Sequence, residues 1–220
     1  NRKIDGIVLA SVSEKEDVLK ECRKKNVPVV QVDRQIDDED TNAVLWEDFR
    51  LAYTLAEHVI DKGHTNVAIE NTRLGCSTGQ HRLQGYLEAF RSQGIRIDEE
   101  NISASNFEMQ DAYEHVKSLL EKPKCPTCII CSNNIMVKGS LKAIQEKGLS
   151  IPEDISICCF GNIETNEYSL TDITNIQQDT RLMGRKAGEL LLSQINEENH
   201  CSVKIKLSGK MIERSSVRQI

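Results

Sequence analysis

The sequence lacks any apolar run long enough to span a bilayer, so no membrane-crossing helix is expected. It also lacks a basic surplus. Against 28 lysines and arginines stand 34 aspartates and glutamates, a net charge of -6, which argues against this chain holding a phosphate backbone by itself. If DNA is involved, another segment must touch it. No Gly-x-Ser-x-Gly, Walker-type loop or His-Glu-x-x-His pattern occurs, and His58, His64, His81, His115 and His200 form no evident partner set. An enzyme is therefore not expected, and neither a cofactor nor a metal is called for. There is no internal repeat or low-complexity tract. Asn1-Arg2-Lys3 runs straight into an apolar stretch, with neither an initiator Met nor a charged-then-apolar signal pattern, so the true N-terminus is expected upstream.

What is present suits a soluble protein that buries a core without staples: 220 residues, 39% hydrophobic and 28% charged. Eight cysteines invite a disulfide or zinc reading. Cys128 and Cys131 bracket a short apolar run, where alternation points them to opposite faces, and Cys158 and Cys159 are adjacent in another. They read as buried thiols acting as small hydrophobes, a usage that fits a reducing cytoplasm.

Short β-type runs alternate with longer amphipathic stretches, the pattern of βαβ units on parallel sheets covered on both faces. Strands are expected at 5–10, 27–32, 43–46, 67–69, 101–103, 128–131, 155–160 and 203–206. Helices are expected near 14–25, 48–61, 80–93, 110–121, 135–147 and 183–196, with Gly63 and Gly148 as stops. The stretch 164–178 is polar and irregular and reads as a surface connection, with another at 62–66. This gives an α/β protein of two Rossmann-like lobes with parallel sheets. The first takes 1–63 and 179–206, and the second 64–178 and 207–220.

Several segments, in order and spacing, resemble the effector-binding core of LacI/GalR transcription regulators. They are Val27-Pro28-Val29-Val30, His58-Val59-Ile60-Asp61-Lys62-Gly63-His64, Arg82-Leu83-Gln84-Gly85-Tyr86, Asn133-Asn134-Ile135-Met136, Ile151-Pro152-Glu153-Asp154-Ile155, Met183-Gly184 and Glu213-Arg214-Ser215-Ser216. The resemblance implies a periplasmic-binding-protein-like fold of two lobes, with a small effector in the cleft between them. It also implies a homodimer, and a helix-turn-helix head outside this sequence that reads DNA. Because Ile4-Asp5-Gly6-Ile7 resembles the third strand of the family's first lobe, that lobe is expected to be truncated here, with its edge at 4–9 left open.

The same resemblance supplies candidate ligand residues. Arg82 stands where the family's guanidinium donates paired hydrogen bonds to the ligand, a task its rigid fork suits. Thr78 offers a hydroxyl at the start of the same helix, although an N-cap would use it equally well. Phe107 matches a position that stacks on a ligand face, and a core role is the alternative. Asp48 could accept from ligand hydroxyls or cap the following helix. Asn133 offers both donor and acceptor, or serves as a turn residue. Asn162 is a weaker stand-in for the carboxylate that the family carries one residue earlier, where this chain has Gly161. Asn134 likewise replaces an Asp. With those carboxylates gone, the effector is expected to be a sugar or related polar metabolite, but not a simple neutral sugar. A periplasmic sugar-binding protein of a transporter is the rival reading. The cysteines and the Arg214-Ser215-Ser216 ending count against it.

Overall fold

In a computed structural model, which describes residues 4–11, 17–36, 41–105, 108–163, 173–196 and 202–220, the alternation resolves into two sheets. The chain forms β1 (Ile7–Leu9), α1 (Asp17–Lys24), β2 (Val29–Val32), β3 (Asn42–Trp46), α2 (Asp48–Asp61), β4 (Val67–Thr72) and α3 (Ser77–Ser92). Then come β5 (Ile102–Ser105), α4 (Met109–Leu120), β6 (Cys128–Cys131), α5 (Asn134–Glu146), β7 (Ser156–Phe160) and β8 (Thr174–Gln177). The last elements are α6 (Thr180–Ile195), β9 (Lys204–Leu207) and β10 (Lys210–Ile212).

One sheet runs β1-β2-β3-β9, entirely parallel. Leu19 and Cys22 of α1 close one face of it against Val29 and Ile36, the buried side of the helix. The other sheet runs β10-β8-β7-β6-β4-β5 and is parallel except where β10 joins β8. Its central strands are buried along their whole length, as parallel strands covered on both faces must be. Ala112, Val116 and Leu119 of α4 and Met136, Val137 and Ile144 of α5 pack there with Ile129 and Ile157. The expected α/β class with parallel sheets is borne out. No helix among the described residues is long and apolar enough to cross a membrane.

Two strands were hidden from the sequence. The surface connection expected at 164–178 contains β8, whose Thr174, Asn175 and Ile176 are buried. Its polar residues are tolerated because they are bonded: Thr174 Oγ1 donates to the Arg214 carbonyl at 3.1 Å, its N–H donates to Ser216 Oγ at 2.9 Å, and Asn175 Nδ2 donates to the Gly161 carbonyl at 2.9 Å. The second hidden strand, β10, is a three-residue edge. By compactness the chain divides into 1–47 with 75–78 and 179–208, and 48–74 with 79–178 and 209–220. α2 packs on β7, β8 and β10, and its Leu51, Leu55 and Val59 are buried.

Candidate ligand-binding site

In a parallel sheet the loops that leave the carboxyl ends of strands are where polar groups can converge without breaking a ladder. Ser132 and Asn133 follow β6, Gly161 and Asn162 follow β7, and the turn after β4 leads into α3. Arg82 lies on the second turn of α3, and three residues later comes Gly85. A Cβ at Gly85 would fall 2.9 Å from the Ala52 methyl and 3.0 Å from the Tyr53 nitrogen of α2, and closer still to the Phe49 carbonyl. Only the missing side chain lets α3 lie so close on the first turns of α2.

That approach brings Arg82 to Asp48, the first residue of α2. Arg82 Nε donates to Asp48 Oδ1 at 2.7 Å, and both residues are buried, at 8% and 4% exposure. Arg82 Nη1 donates to the Ser132 carbonyl at 2.8 Å, and its Cζ lies 3.9 Å from the centre of the Phe160 ring. The guanidinium is thus held by a carboxylate at a helix N-terminus, a strand-end carbonyl and an aromatic face, each favourable to a cation. Tyr86 is fully buried next along α3, and its hydroxyl has no partner in hydrogen-bonding geometry. Burial pushes the pKa of that phenol up, although Arg82 and Ser132 are close enough to pull against the rise.

Asn133, Asn162 and Thr78 each have a local partner. Asn133 caps α5, its side chain accepting from the Met136 N–H at 3.0 Å. Because it follows Ser132 directly, it adjoins the guanidinium's anchor. Asn162 Nδ2 donates to the Gln178 carbonyl and its Oδ1 accepts from the Gln178 N–H, both at 2.8 Å, so its amide ties the exits of β7 and β8 together. Thr78 is buried, with its hydroxyl 3.5 Å from Cys76 Sγ. Phe107 lies outside the described residues. Gly161 has φ +113, a conformation that disfavours any L side chain, so the absence of a carboxylate there is a backbone requirement as well as a change of chemistry.

Sequence reasoning passed over Ser132, Phe160 and Asn71. The signal is available in part, because the strand expected at 67–69 stops where Glu70, Asn71 and Thr72 turn polar. All six residues of β4 are buried, and a polar residue in such a strand must have a specific partner.

Elsewhere, His64 Nδ1 lies 2.8 Å from Thr127 Oγ1 and its Nε2 lies 3.1 Å from the Arg218 carbonyl. His115 Nδ1 lies 2.6 Å from Glu70 Oε1, and its Nε2 lies 3.1 Å from the Glu100 carbonyl. Cys22, Cys76, Cys128, Cys131, Cys158 and Cys159 are buried free thiols and Cys125 is an exposed one. Burial pushes the Cys131, Cys158 and Cys159 thiols up. No group of three His, Cys, Asp or Glu among the described residues could hold a metal.

Comparison with known proteins fits this architecture. Residues 56–217 match the periplasmic binding protein-like domain, and the chain belongs to that family. Over 219 residues it is 31% identical to the "Probable HTH-type transcriptional repressor ExuR" of Bacillus subtilis, covering 99% of this chain and 66% of that protein. It is 29% identical over 218 residues to the HTH-type transcriptional repressor PurR of Pasteurella multocida, covering 99% and 65%. A LacI family transcriptional regulator from Enterococcus faecalis V583, solved with bound ribose, superposes with a TM-score of 0.88 at 25% identity, covering all of this chain and 79% of that one. The resemblance to the LacI/GalR core is borne out. The chain spans just under two thirds of the length of these repressors.

Proposed function

We propose that this chain is the effector-sensing core of a LacI-type transcription repressor that works in the cytoplasm as a homodimer. A small polar metabolite is held at Arg82. The observation that carries the reading is the guanidinium itself, nearly buried yet fixed on three sides at the carboxyl edge of a parallel sheet. Asp48, Thr78, Asn133, Asn162 and Phe107 complete the proposed set. The net charge of -6 supports a reading in which DNA contact falls to a part of the protein outside these 220 residues. The repressor names of the sequence relatives favour this reading over a transporter's sugar-binding protein.

Ribose bound to the Enterococcus regulator supports a small polar effector as the class. Here Asp48 already accepts from Arg82, and Asn134 and Gly161 carry no carboxylate, so ligand hydroxyl donors have few strong acceptors to meet. A metabolite that itself accepts hydrogen bonds through carbonyl, ring nitrogen or acid oxygens suits the site better than a simple neutral sugar. Binding acts by shifting populations, and its leverage is the difference in affinity between the states of the regulator.

Calorimetry against neutral sugars, sugar acids and purine bases tests this. One of the latter two classes should bind, and Arg82→Lys, which keeps the charge but loses the fork, should weaken it about tenfold or more. An unchanged dissociation constant in Arg82→Lys would remove Arg82 from the site. Tight binding of a neutral sugar that Arg82→Lys abolishes would keep the site and refute the ligand class.

A further inference from the structure

Asn71 is fully buried on β4, flanked by β5 and β6, and follows the apolar Val67, Ala68 and Ile69. A side-chain amide in such a place is tolerated only when its donors and acceptor are met. Nδ2 donates to the Thr72 carbonyl at 2.8 Å and to the Gly79 carbonyl at 3.1 Å, in the first turn of α3. Its Oδ1 accepts from Ser132 Oγ at 2.9 Å. Ser132 is fully buried as well, and its carbonyl receives Arg82 Nη1 at 2.8 Å. One amide therefore joins the start of the helix that carries Arg82 to the residue that anchors the guanidinium.

We propose that Asn71 is a positioning residue for Arg82, acting through Ser132 and touching no ligand. Asp48 and Phe160 hold the guanidinium from a helix and a strand. The Ser132 carbonyl, in contrast, lies where the backbone has just left β6. Its N–H is tied to the Glu70 carbonyl at 2.8 Å and its hydroxyl to Asn71, so the Asn71 bond is one of the two that hold the residue whose carbonyl meets Arg82. Fixing that carbonyl fixes one arm of the fork, so the donors of Arg82 are set before a ligand arrives.

The functional meaning rests on Arg82 being the ligand-gripping group, but the linkage can be tested in the ligand-free protein. In the whole chain, the Arg82 Nη–H resonances, assigned by their loss in Arg82→Lys, should exchange slowly with solvent, because Nη1 is the arm that donates to the Ser132 carbonyl. Ser132→Ala keeps the carbonyl and removes the hydroxyl link, whereas Asn71→Leu removes the amide at similar size. Each should speed Arg82 Nη–H exchange on the order of tenfold, the factor expected for one buried hydrogen bond, while the backbone amides of β4 and β6 keep their wild-type rates. Wild-type exchange at Arg82 in folded Ser132→Ala would overturn the proposal. So would a matching acceleration of the strand amides, which marks general loosening. If Asn71→Leu does not fold, Ser132→Ala alone decides. An Arg82→Lys protein that binds effector normally would sink the effector reading and leave the linkage standing.

Discussion

Two helix pairs in the larger unit are joined by the same device and put to different use. Gly85 of α3 lies on Phe49, Ala52 and Tyr53 of α2, and Gly139 of α5 lies on Met109, Ala112 and Tyr113 of α4. In both pairs a glycine sits over the first turns of its neighbour, and in both an Ala-Tyr step receives it. The difference stands one turn before each glycine. Arg82 precedes Gly85 by three residues and meets Asp48, which precedes Phe49. Met136 precedes Gly139 by three and is buried in the apolar cluster, while Glu108, which precedes Met109, is exposed and makes no capping bond. The glycine sets how closely the helices approach. The residue one turn earlier decides whether that closeness builds a packed core or a held charge.

The largest effect should come from breaking the charged version. Arg82→Ala leaves Asp48 buried without its cation and should cost about 3–5 kcal/mol in urea unfolding, reduced to the extent that the α2 N-terminus shelters the carboxylate. Asp48→Asn combined with Arg82→Met should regain most of this loss, because no lone charge remains. Met136→Ala, the counterpart in the other pair, should cost about 2–5 kcal/mol by leaving a cavity, and no second substitution of Glu108 should relieve it. Relief by Glu108→Gln would erase the contrast between the pairs.

Alanine at either glycine should cost roughly 1–3 kcal/mol, since a Cβ meets backbone that must move. Gly85→Ala should in addition broaden the Arg82 Nε–H signal, whereas Gly139→Ala should leave it sharp. Equal broadening in both would show that the approach at Gly85 is not what places the guanidinium.

A pH effect of intermediate size should belong to His115, the histidine that ties α4 to Glu70 of β4. Both of its ring nitrogens face acceptors, a carboxylate and a carbonyl, which requires a proton on each. Burial lowers its pKa, but the Glu70 hydrogen bond and charge, helped by the Glu100 carbonyl, outweigh burial and Lys122 and leave it raised. Stability from a raised His is complete below the unfolded value and is lost as pH climbs through the folded one. His58 and His64, both lowered chiefly by burial, act in the opposite sense and lose stability as pH falls through the ordinary histidine range. The difference in melting temperature between wild type and His115→Gln should therefore shrink from pH 6 towards pH 9. A constant difference would show that His115 does not titrate with folding. The smallest effect is expected for Tyr86→Phe, which removes a buried hydroxyl without a partner and should raise stability by up to about 1 kcal/mol in the same unfolding assay.

Much of the fold was legible because hydrophobic period depends on local spacing. α2 was expected at 48–61 and is found at Asp48–Asp61, and the strand expected at 128–131 is β6. β8 was missed because Thr174 and Asn175 look like loop residues until Ser216 and Gly161 supply their partners from elsewhere in the chain. Arg82 and Asp48 are each singled out by the resemblance to the LacI/GalR core. That the two answer each other across 34 positions could not be read, and neither could the part of Asn71, whose strand seemed to end before it.

The sequence by itself determined the α/β alternation, the thiol character of the buried cysteines and the family motif around Arg82, all properties of neighbouring residues. Only the tertiary structure decided what Arg82 holds. A glycine's missing Cβ, a strand-end carbonyl and an aromatic ring become one environment only when distant segments pack, and a guanidinium's chemistry is set by its neighbours in space.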